Sequence, residues 1–568
     1  MRSLIVTQVV TIAIAGLSSI AVAQIDSIHV LVNEETASGS NSLATFAYLE
    51  TIDENNEIVK TIYSTTFNAG GALRRITNVD GVQQVEVIAT EQNFREFYTN
   101  NDPTRGVPNP LVFGMITNPA AVGSIPANGA IWFTDGSTTN VSGGGTADPA
   151  ATKRVYRYNL GTIPSGGTGL DIFTSLATLS TFQAQPGGVG NISRQAAFSP
   201  TGQSIYHVDS GGSQSGVFKI DPASGAVTRI LNIANSSGSV AINTEPAVLR
   251  VGDADRILFR GNKQSTAAPG INVGGINYID HDGTNTTAQK TFLSAETLAD
   301  FLQVAVGSTD VRAITAAPDG ESIYFYDQST SRLLGLDAEG RLFKLATRNE
   351  RDLVLTGAVG AGETPTASVL RLQPRTIVHP TAGSIPQLMY AESSPLNSVG
   401  AIDVFLPTDF DRDGDEDATD LDLFETVLTP RNVAASLDNA RFDLNGNAVI
   451  DFKDVKIAQS FQLFSDGDTN FDFAVNFDDL LTLAQGYGTA TGQTWIDGDF
   501  TGDDAVNFDD LLILAQHYGE TAPNVGLSAL PSDFRSDWAL ALSTVPEPGV
   551  VTVLAAGLPL ARRRIRRV

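Results

Sequence analysis

The chain contains no cysteine, which excludes disulfide staples and thiolate metal sites and leaves packing, an oxygen-ligated metal, or both to hold it together. Histidine is nearly as scarce. His29, His207, His281 and His379 are scattered, match no metal spacing, and His207 falls inside a strand-like run, so a structural role is the simpler reading for it. Positive charge is short as well: 36 Lys and Arg stand against 63 Asp and Glu, a net charge of −27. A nucleic acid partner is excluded on that balance, whereas a hard cation is attracted. Neither a Ser-His-Asp order, nor a Gly-rich phosphate loop, nor a zinc signature is present. Acidic side chains are common enough on loops that paired carboxylates for glycoside cleavage stay open as a possibility.

Long apolar runs are also missing. At the N-terminus, Arg2 precedes an apolar stretch from Leu4 to Ala15, and Ala21-Val22-Ala23 supplies a small-x-small cleavage site. This reads as a secretory signal over residues 1–23, with Gln24 starting the mature chain. A membrane anchor would need roughly 20 apolar residues, and Gln8 and the threonines interrupt this one. An exported protein is expected. The remaining length exceeds one domain of ~150 residues, and its 42% hydrophobic content is enough for packed cores.

Charge is unevenly spread. From Asp403 to Asp510 there are 25 acidic and 5 basic side chains, a balance of −20. Before this segment the chain is rich in Gly, Ser and Thr, with short β-branched and aromatic runs between turn signals, an all-β pattern. A unit recurs within it. Pro200-Thr201-Gly202 leads into Ser204-Ile205-Tyr206, ends at Asp209, and is followed by Val217-Phe218-Lys219-Ile220-Asp221 and Gly225. Pro318-Asp319-Gly320 leads into Ser322-Ile323-Tyr324, ends at Asp327, and is followed by Leu333 to Asp337 and Gly340. Between them sit Ile257-Leu258-Phe259 and Ile276 to Asp280, so that Asp221, Asp280 and Asp337 are spaced by 59 and 57 residues. Looser copies begin at Ala130 with Val155, and at Leu388 with Ala401. Repeated β units of this size predict propeller blades, six or seven of them over residues 24–406. An array of β-sandwiches is the alternative. A propeller would place a site in its central funnel.

The acidic segment carries four copies of a twelve-residue pattern with oxygen ligands at positions 1, 3, 5, 9 and 12 and a backbone carbonyl at 7, the arrangement that surrounds Ca²⁺ with about 6–8 oxygens. The copies are Asp409, Asp411, Asp413, Asp417 and Asp420; Asp443, Asn445, Asn447, Asp451 and Asp454; Asp468, Asn470, Asp472, Asn476 and Asp479; and Asp499, Thr501, Asp503, Asn507 and Asp510. Position 8 is apolar in three copies (Ile450, Val475, Val506), as expected where paired loops bridge. Position 12 is expected to open a helix, and Leu480 to Gln485 and Leu511 to Gln516 follow with apolar faces that stop at Gly488 and Gly519. Gly414 occupies position 6 of the first copy, but Ala448, Phe473 and Asp504 stand there in the others, which predicts a strained or reshaped turn. A solvated acidic face without metal is the alternative.

On these residues the segment resembles the type I dockerin family: Asp468-x-Asn470-x-Asp472 and Val475-Asn476-Phe477-Asp478-Asp479 followed by Leu480-Leu481-x-Leu483-Ala484-Gln485, with Asp at every position 12. The resemblance implies small α-helical calcium modules over 407–460 and 466–520, and docking on a cohesin-like partner. The pairs at positions 10 and 11 (Ala418-Thr419, Phe452-Lys453, Phe477-Asp478, Phe508-Asp509) depart from the Ser-Thr pair of cellulosomal dockerins. The N-terminal unit resembles loosely conserved bacterial propellers. After a linker, 521–544, the order Val545-Pro546-Glu547-Pro548, apolar Gly549 to Ala561, and Arg562-Arg563-Arg564 is similar to the PEP-CTERM sorting signal, also catalogued as an ice-binding protein C-terminal domain. Its 13 apolar residues span about 20 Å as a helix, short of a ~30 Å bilayer core. Transient membrane contact and removal by a sorting protease are implied. The expected protein is a mainly β, exported, surface-sorted, calcium-binding modular protein; extracellular polysaccharide is a further expected partner, and a carbohydrate-active enzyme with its site in the funnel is the alternative.

Overall fold

The computed structural model describes residues between Ser27 and Glu520 in stretches; residues 1–26 and 521–568, and internal segments such as 94–111, 136–154 and 173–195, lie outside the described residues. The export signal, the linker and the sorting tail therefore fall outside them. Among the described residues, no helix is long and apolar enough to cross a membrane.

Six four-stranded antiparallel sheets dominate the chain. After β1 (Ile28–Val32), the first sheet is the meander β2 (Leu43–Ile52), β3 (Ile58–Thr66), β4 (Leu73–Thr77) and β5 (Gln84–Ala89). The second holds β6 (Val112–Thr117), β7 (Ala130–Asp135), β8 (Val155–Asn159) and β9 (Leu170–Ile172), and the third β10 (Ala196–Phe198), β11 (Ile205–Asp209), β12 (Gly216–Ile220) and β13 (Val227–Asn232). In the fourth come β14 (Ala247–Val251), β15 (Ala254–Arg260), β16 (Ile276–His281) and β17 (Lys290–Leu293); α1 (Ala295–Leu302) follows. The fifth has β18 (Val311–Ala316), β19 (Ile323–Asp327), β20 (Arg332–Leu336) and β21 (Leu342–Ala346), followed by α2 (Arg348–Thr356). The last comprises β22 (Val369–His379), β23 (Gly383–Glu392) and β24 (Val399–Asp403), and β1 pairs with β24 as its fourth strand.

The first strands of the sheets touch in succession, β2 with β6, β6 with β10, β10 with β14, β14 with β18, β18 with β22, and β22 again with β2. That closed cycle makes the sheets blades of a six-bladed propeller, so the count falls at the lower of the two expected. Closure is completed by two distant parts of the chain sharing one blade, β1 with β24. Because each blade is covered on both faces by its neighbours, inner strands read as apolar runs instead of alternating. All five residues of β19, Ile-Tyr-Phe-Tyr-Asp, are buried.

The recurring aspartates serve this framework. Asp327 is fully buried and its carboxylate accepts from Ser329 Oγ (2.6 Å), Thr330 N (2.9 Å) and Thr330 Oγ1 (2.7 Å), closing the turn into β20. Asp221 accepts from the amides of Ala223 and Ser224 at 2.9 and 2.8 Å, an Asx turn. Asp280 instead pairs with Arg256 on the adjacent strand at 2.8 Å. His207 is buried on β11 beside Phe218.

Beyond β24 the chain forms loop–helix units with α3 (Ala418–Leu428), α4 (Phe452–Ser460), α5 (Phe477–Gly486) and α6 (Phe508–His517). A short ladder joins β25 (Val433–Ala434) to β26 (Val449–Ile450). The first pair of units has its own aromatic centre, Phe410 stacked on Phe424 at 5.1 Å and Phe442 at 4.9 Å from Phe410. Trp495, with Phe464 at 5.4 Å and Phe500 at 5.0 Å, centres the second.

These units are packed onto the ring instead of trailing from it. Lys344 N on β21 donates to Leu444 O (3.1 Å), Lys344 Nζ to Ala440 O (2.6 Å), and Arg332 Nη1 to Asn445 O (2.9 Å). Phe343 meets Phe461 edge-on, and Arg341 lies over the same ring at 4.6 Å. Apolar residues of blades four to six and of both unit pairs belong to one continuous core.

Candidate metal centres

Each of the four acidic loops is built the same way. Position 9 is the helix N-cap: Asp451 accepts from Lys453 N (2.8 Å), Asn476 from Asp478 N (2.8 Å) and Asn507 from Asp509 N (2.8 Å). Asp417 does the same for Thr419 N at 2.7 Å. The position 12 carboxylate then closes a capping box, so it sits in the first turn and does not itself open the helix. Its second oxygen reaches back to the start of the loop. Asp420 accepts from Phe410 N and Asp411 N, Asp454 from Leu444 N and Asn445 N, Asp479 from Thr469 N, and Asp510 from Phe500 N and Thr501 N, all within 2.6–3.3 Å. All four position 12 carboxylates are fully buried.

Position 1 is buried beside them. In the first, second and fourth loops its oxygens accept from amides at positions 5 and 6, as Asp443 does from Asn447 N (3.0 Å) and Ala448 N (2.8 Å), whereas Asp468 accepts from Phe473 N at position 6 (3.0 Å). Position 6 has positive φ in every loop: Gly414 105°, Ala448 71°, Phe473 67° and Asp504 80°. The turn is thus held in one shape whichever residue occupies it, and of the two outcomes expected from the sequence, strain is the one realised.

Position 8 differs from expectation in its partner. Val475 does not bridge Val506. Its amide donates to Glu520 O (2.9 Å) and its carbonyl accepts from Gly519 N (2.7 Å), while Val506 exchanges bonds with Gly488 and Thr489 at 2.8 and 3.1 Å. Each loop therefore clasps the chain leaving the other loop's helix. Ile450 likewise pairs with Val433, beyond α3. Glu416, at this position in the first loop, accepts from Thr408.

Two groups of three carboxylates that could hold a metal ion come together, Asp409, Asp411 and Asp413 in the first loop and Asp499, Asp503 and Asp510 in the fourth, with oxygens within 4.8 Å of one another. In the third, Asn470 Nδ2 and Asn476 Nδ2 both donate to Asp472 Oδ2, at 3.2 and 3.3 Å. Thr501 Oγ1 donates to Asp499 Oδ1 at 3.3 Å. The second loop departs most. Asn447 Nδ2 is turned toward Gln303 Oε1 of the ring (2.8 Å), and Asn445 Nδ2 is buried without a partner.

Burial of like charges shifts these acids strongly. Burial first, then the neighbouring carboxylate of position 12, pushes Asp409 up to about 7 and Asp468 up to about 7; burial raises Asp420 to about 6. Asp443 is raised too, chiefly by burial, but Lys344 works against the rise. Asp468 Oδ1 is buried and has no hydrogen-bond partner. An acidic oxygen so placed costs free energy unless a proton or a cation meets it.

Two contributions, one from Trp495 and one from the Lys344 and Arg332 pair, were not legible in the sequence. Trp495 Nε1 donates to Asp468 O at 2.7 Å and so fixes the entry of the third loop. Lys344 and Arg332 bring positive charge from the ring to the second. Aromatic residues among the acidic repeats were the only sequence signal for the first, and nothing local signalled the second.

No family model matches the chain, and no curated protein matches it. Solved structures align with it at low similarity. A calcium-binding protein, regucalcin, from Agrobacterium tumefaciens is 12% identical over 66% of this chain and 94% of its own, with a TM-score of 0.35. A luciferin-regenerating enzyme is 8% identical over 66% and 94%, TM-score 0.36, and virginiamycin B lyase from Staphylococcus aureus 11% over 64% and 99%, TM-score 0.31. Such scores carry no functional argument. The six-bladed ring rests on the strand pairing described above.

Proposed function

We propose that this is an exported modular protein in which calcium holds the C-terminal loop–helix units together so that they dock a partner at the cell envelope. Supporting the metal is the buried, unpartnered Asp468 Oδ1 beside a second buried carboxylate, within a loop geometry repeated four times. The donor set is all oxygen, as a hard cation requires. Side chains at positions 1, 3, 5, 9 and 12 would hold the ion, with the carbonyls of Asp415, Val449, Ala474 and Ala505 at position 7. The second loop is the weakest candidate, because Arg332 and Lys344 already supply positive charge there.

Docking is supported by a repeated exposed surface. Phe477, Leu481 and Tyr487 are 62, 45 and 50% exposed, and their counterparts Phe508, Leu512 and Tyr518 are 64, 46 and 50% exposed. Phe452, at the same loop position, is packed on Trp495 at 6.1 Å, so the first unit pair faces the ring and the second pair while the last two helices turn an apolar face outward. A cohesin-like surface protein is the kind of partner that suits such a face. Retention at the envelope and removal of the tail rest on the C-terminal sequence order alone.

Calorimetry of the full chain with calcium and with chelator tests the reading. Calcium should raise the transition of the acidic units, and Asp479→Ala should remove more of that rise than Thr501→Ala because it deletes a charged ligand. An identical thermogram in calcium and chelator would overturn the metal assignment.

A further inference from the structure

The seam where the ring closes is built unlike the rest of it. β22 and β23 are 11 and 10 residues long and β2 and β3 are 10 and 9, whereas the other strands of the ring have three to seven. Blades six and one thus rise as two long hairpins. At the level of the ring they are zipped together: Gln373 Oε1 accepts from Tyr48 N (2.8 Å) and its Nε2 donates to Tyr48 O (2.9 Å). Beside this zip a cleft of about 870 Å³ opens, lined from both blades, within the ~300–1,000 Å³ typical of small-molecule sites.

The floor of the cleft is a row of polar side chains, one from each strand of blade six. Arg375 Nε donates to Gln387 Oε1 (2.6 Å), Gln387 Nε2 donates to Asp403 Oδ1 (2.5 Å), and Asp403 Oδ2 lies 2.7 Å from His29 Nε2. Arg375, Gln387 and Asp403 are 8, 3 and 6% exposed. Across from the row, Arg375 lies over the ring of Tyr48 at 4.8 Å, and Tyr48 OH donates to Glu50 Oε1 (2.5 Å). A buried polar row is costly where apolar residues would pack as well. At the mouth stand two apolar side chains, Ile58 and Val378, 65 and 86% exposed. Outside it, the tip of the β22–β23 hairpin is braced by Thr381 Oγ1 donating to Arg412 O (2.9 Å).

From this geometry we infer that the seam cleft is a binding site for a neutral oligosaccharide. Arg375 and Lys60 are balanced by Glu50 and Asp403, so the lining offers no net charge to a polyanion or polycation. A purely apolar ligand would strip water from the exposed His29 end of the row without replacing its hydrogen bonds. Sugar hydroxyls both donate and accept, which matches a floor of guanidinium, amide, carboxylate and imidazole, and the CH faces of a sugar suit the apolar lips. This site lies at the seam between the first and last blades and is independent of the metal reading.

The test is saturation-transfer NMR followed by calorimetric titration on the full chain in calcium, with maltohexaose, cellohexaose, mannohexaose and xylohexaose as probes and hexagalacturonate as the charged control. At least one neutral hexasaccharide should bind. His29→Ala, which loses one hydrogen-bonding ring on the exposed end of the row, and Val378→Arg, which plugs the mouth from a fully solvated position, should each weaken it by about tenfold or more. Val251→Arg, on an exposed residue of blade four remote from the cleft (43% exposed), should leave the affinity unchanged. Binding that survives both cleft variants, hexagalacturonate binding tighter than every neutral probe, or no neutral probe binding at all would each overturn the assignment.

Discussion

Gly414 and Ala448 hold the same position of two neighbouring loops, and exchanging their residue types should shift stability in opposite directions. Both backbones are left-handed, φ 105° and 71°. An L-residue in that region carries roughly 1–2 kcal/mol of strain, and glycine returns about 0.5–1 kcal/mol of it through the greater freedom of its unfolded chain. Ala448→Gly should therefore stabilise by about 0.5–1 kcal/mol. The reverse change at Gly414 costs more than strain alone. A Cβ there would lie 2.9 Å from Ala382 Cα and 3.0 Å from Ala382 O, which is backbone of the β22–β23 turn and cannot swing aside. Gly414→Ala should lose at least ~1–2 kcal/mol and loosen the contact between the first loop and blade six. Phe473→Gly is a poor substitute for Ala448→Gly, since its ring packs on the core. Asp504→Gly forfeits the bond that Asp504 Oδ1 accepts from Gly492 N (3.0 Å). Denaturant titration of the full chain in saturating calcium, followed by circular dichroism, is the assay. A destabilised Ala448→Gly, or a neutral Gly414→Ala, would refute the claim that one backbone shape is imposed on all four loops.

Calcium stabilisation should grow with pH. Without a cation, Asp409 and Asp468 titrate near 7 in the folded chain instead of near 3.8, so the folded state binds extra protons between about pH 4 and 7 and its metal-free stability falls as pH rises through that window. Calcium displaces those protons; titration in weak buffer should release protons at pH 6 and few at pH 8, and equal release at both would contradict the shifts. Glu392→Gln should cost about 3–5 kcal/mol, because it strands the buried Arg351 guanidinium, which now meets Glu392 at 2.7 Å between the rings of Tyr326 and Tyr390. Thermal melts of this variant and of the Arg351→Met, Glu392→Leu pair should show the double change recovering most of the loss; no recovery would argue against an ion-pair origin. Mass spectrometry of envelope-associated protein should find peptides up to the vicinity of Thr544 and none from 549–568, and intact tail peptides would mean the segment is a lasting anchor.

What the sequence made legible follows from how locally each feature is encoded. The second and third strands of blades three and five were the most readable because short turns of local chemistry flank them: glycines at positive φ in Pro200-Thr201-Gly202 and Pro318-Asp319-Gly320, and an Asx turn at Asp221. Blade one was not, since no Pro-x-Gly motif stands before β2 or between β2 and β3 in the sequence and the 59-residue spacing does not extend to them. The pairing of β1 with β24 was beyond reach for a different reason. His29 and Asp403 are 374 residues apart, and nothing in a strand's own composition names its partner. The acidic loops were legible residue by residue, because twelve positions fix both the ligand spacing and the capping box. Their consequence was not. A position 8 valine says that a bridge forms, but the partner of Val475 is the chain after α6, chosen by how two helices pack.

The joint between ring and units was equally hidden, because it depends on backbone carbonyls. Lys344 and Arg332 look like solvated surface charges in sequence, yet they meet Ala440 O and Asn445 O, which any residues could provide. Their placement also bears on function. The first unit pair is tied to blade five by hydrogen bonds to its carbonyls and an aromatic contact, and Phe452 on Trp495 joins it to the second, so a partner docked on Phe477 and Phe508, as proposed, would be held in a fixed relation to the ring. On the two proposals together, the seam cleft and that apolar face would be two sites on one body, and a partner bound at one would present the other in a defined direction.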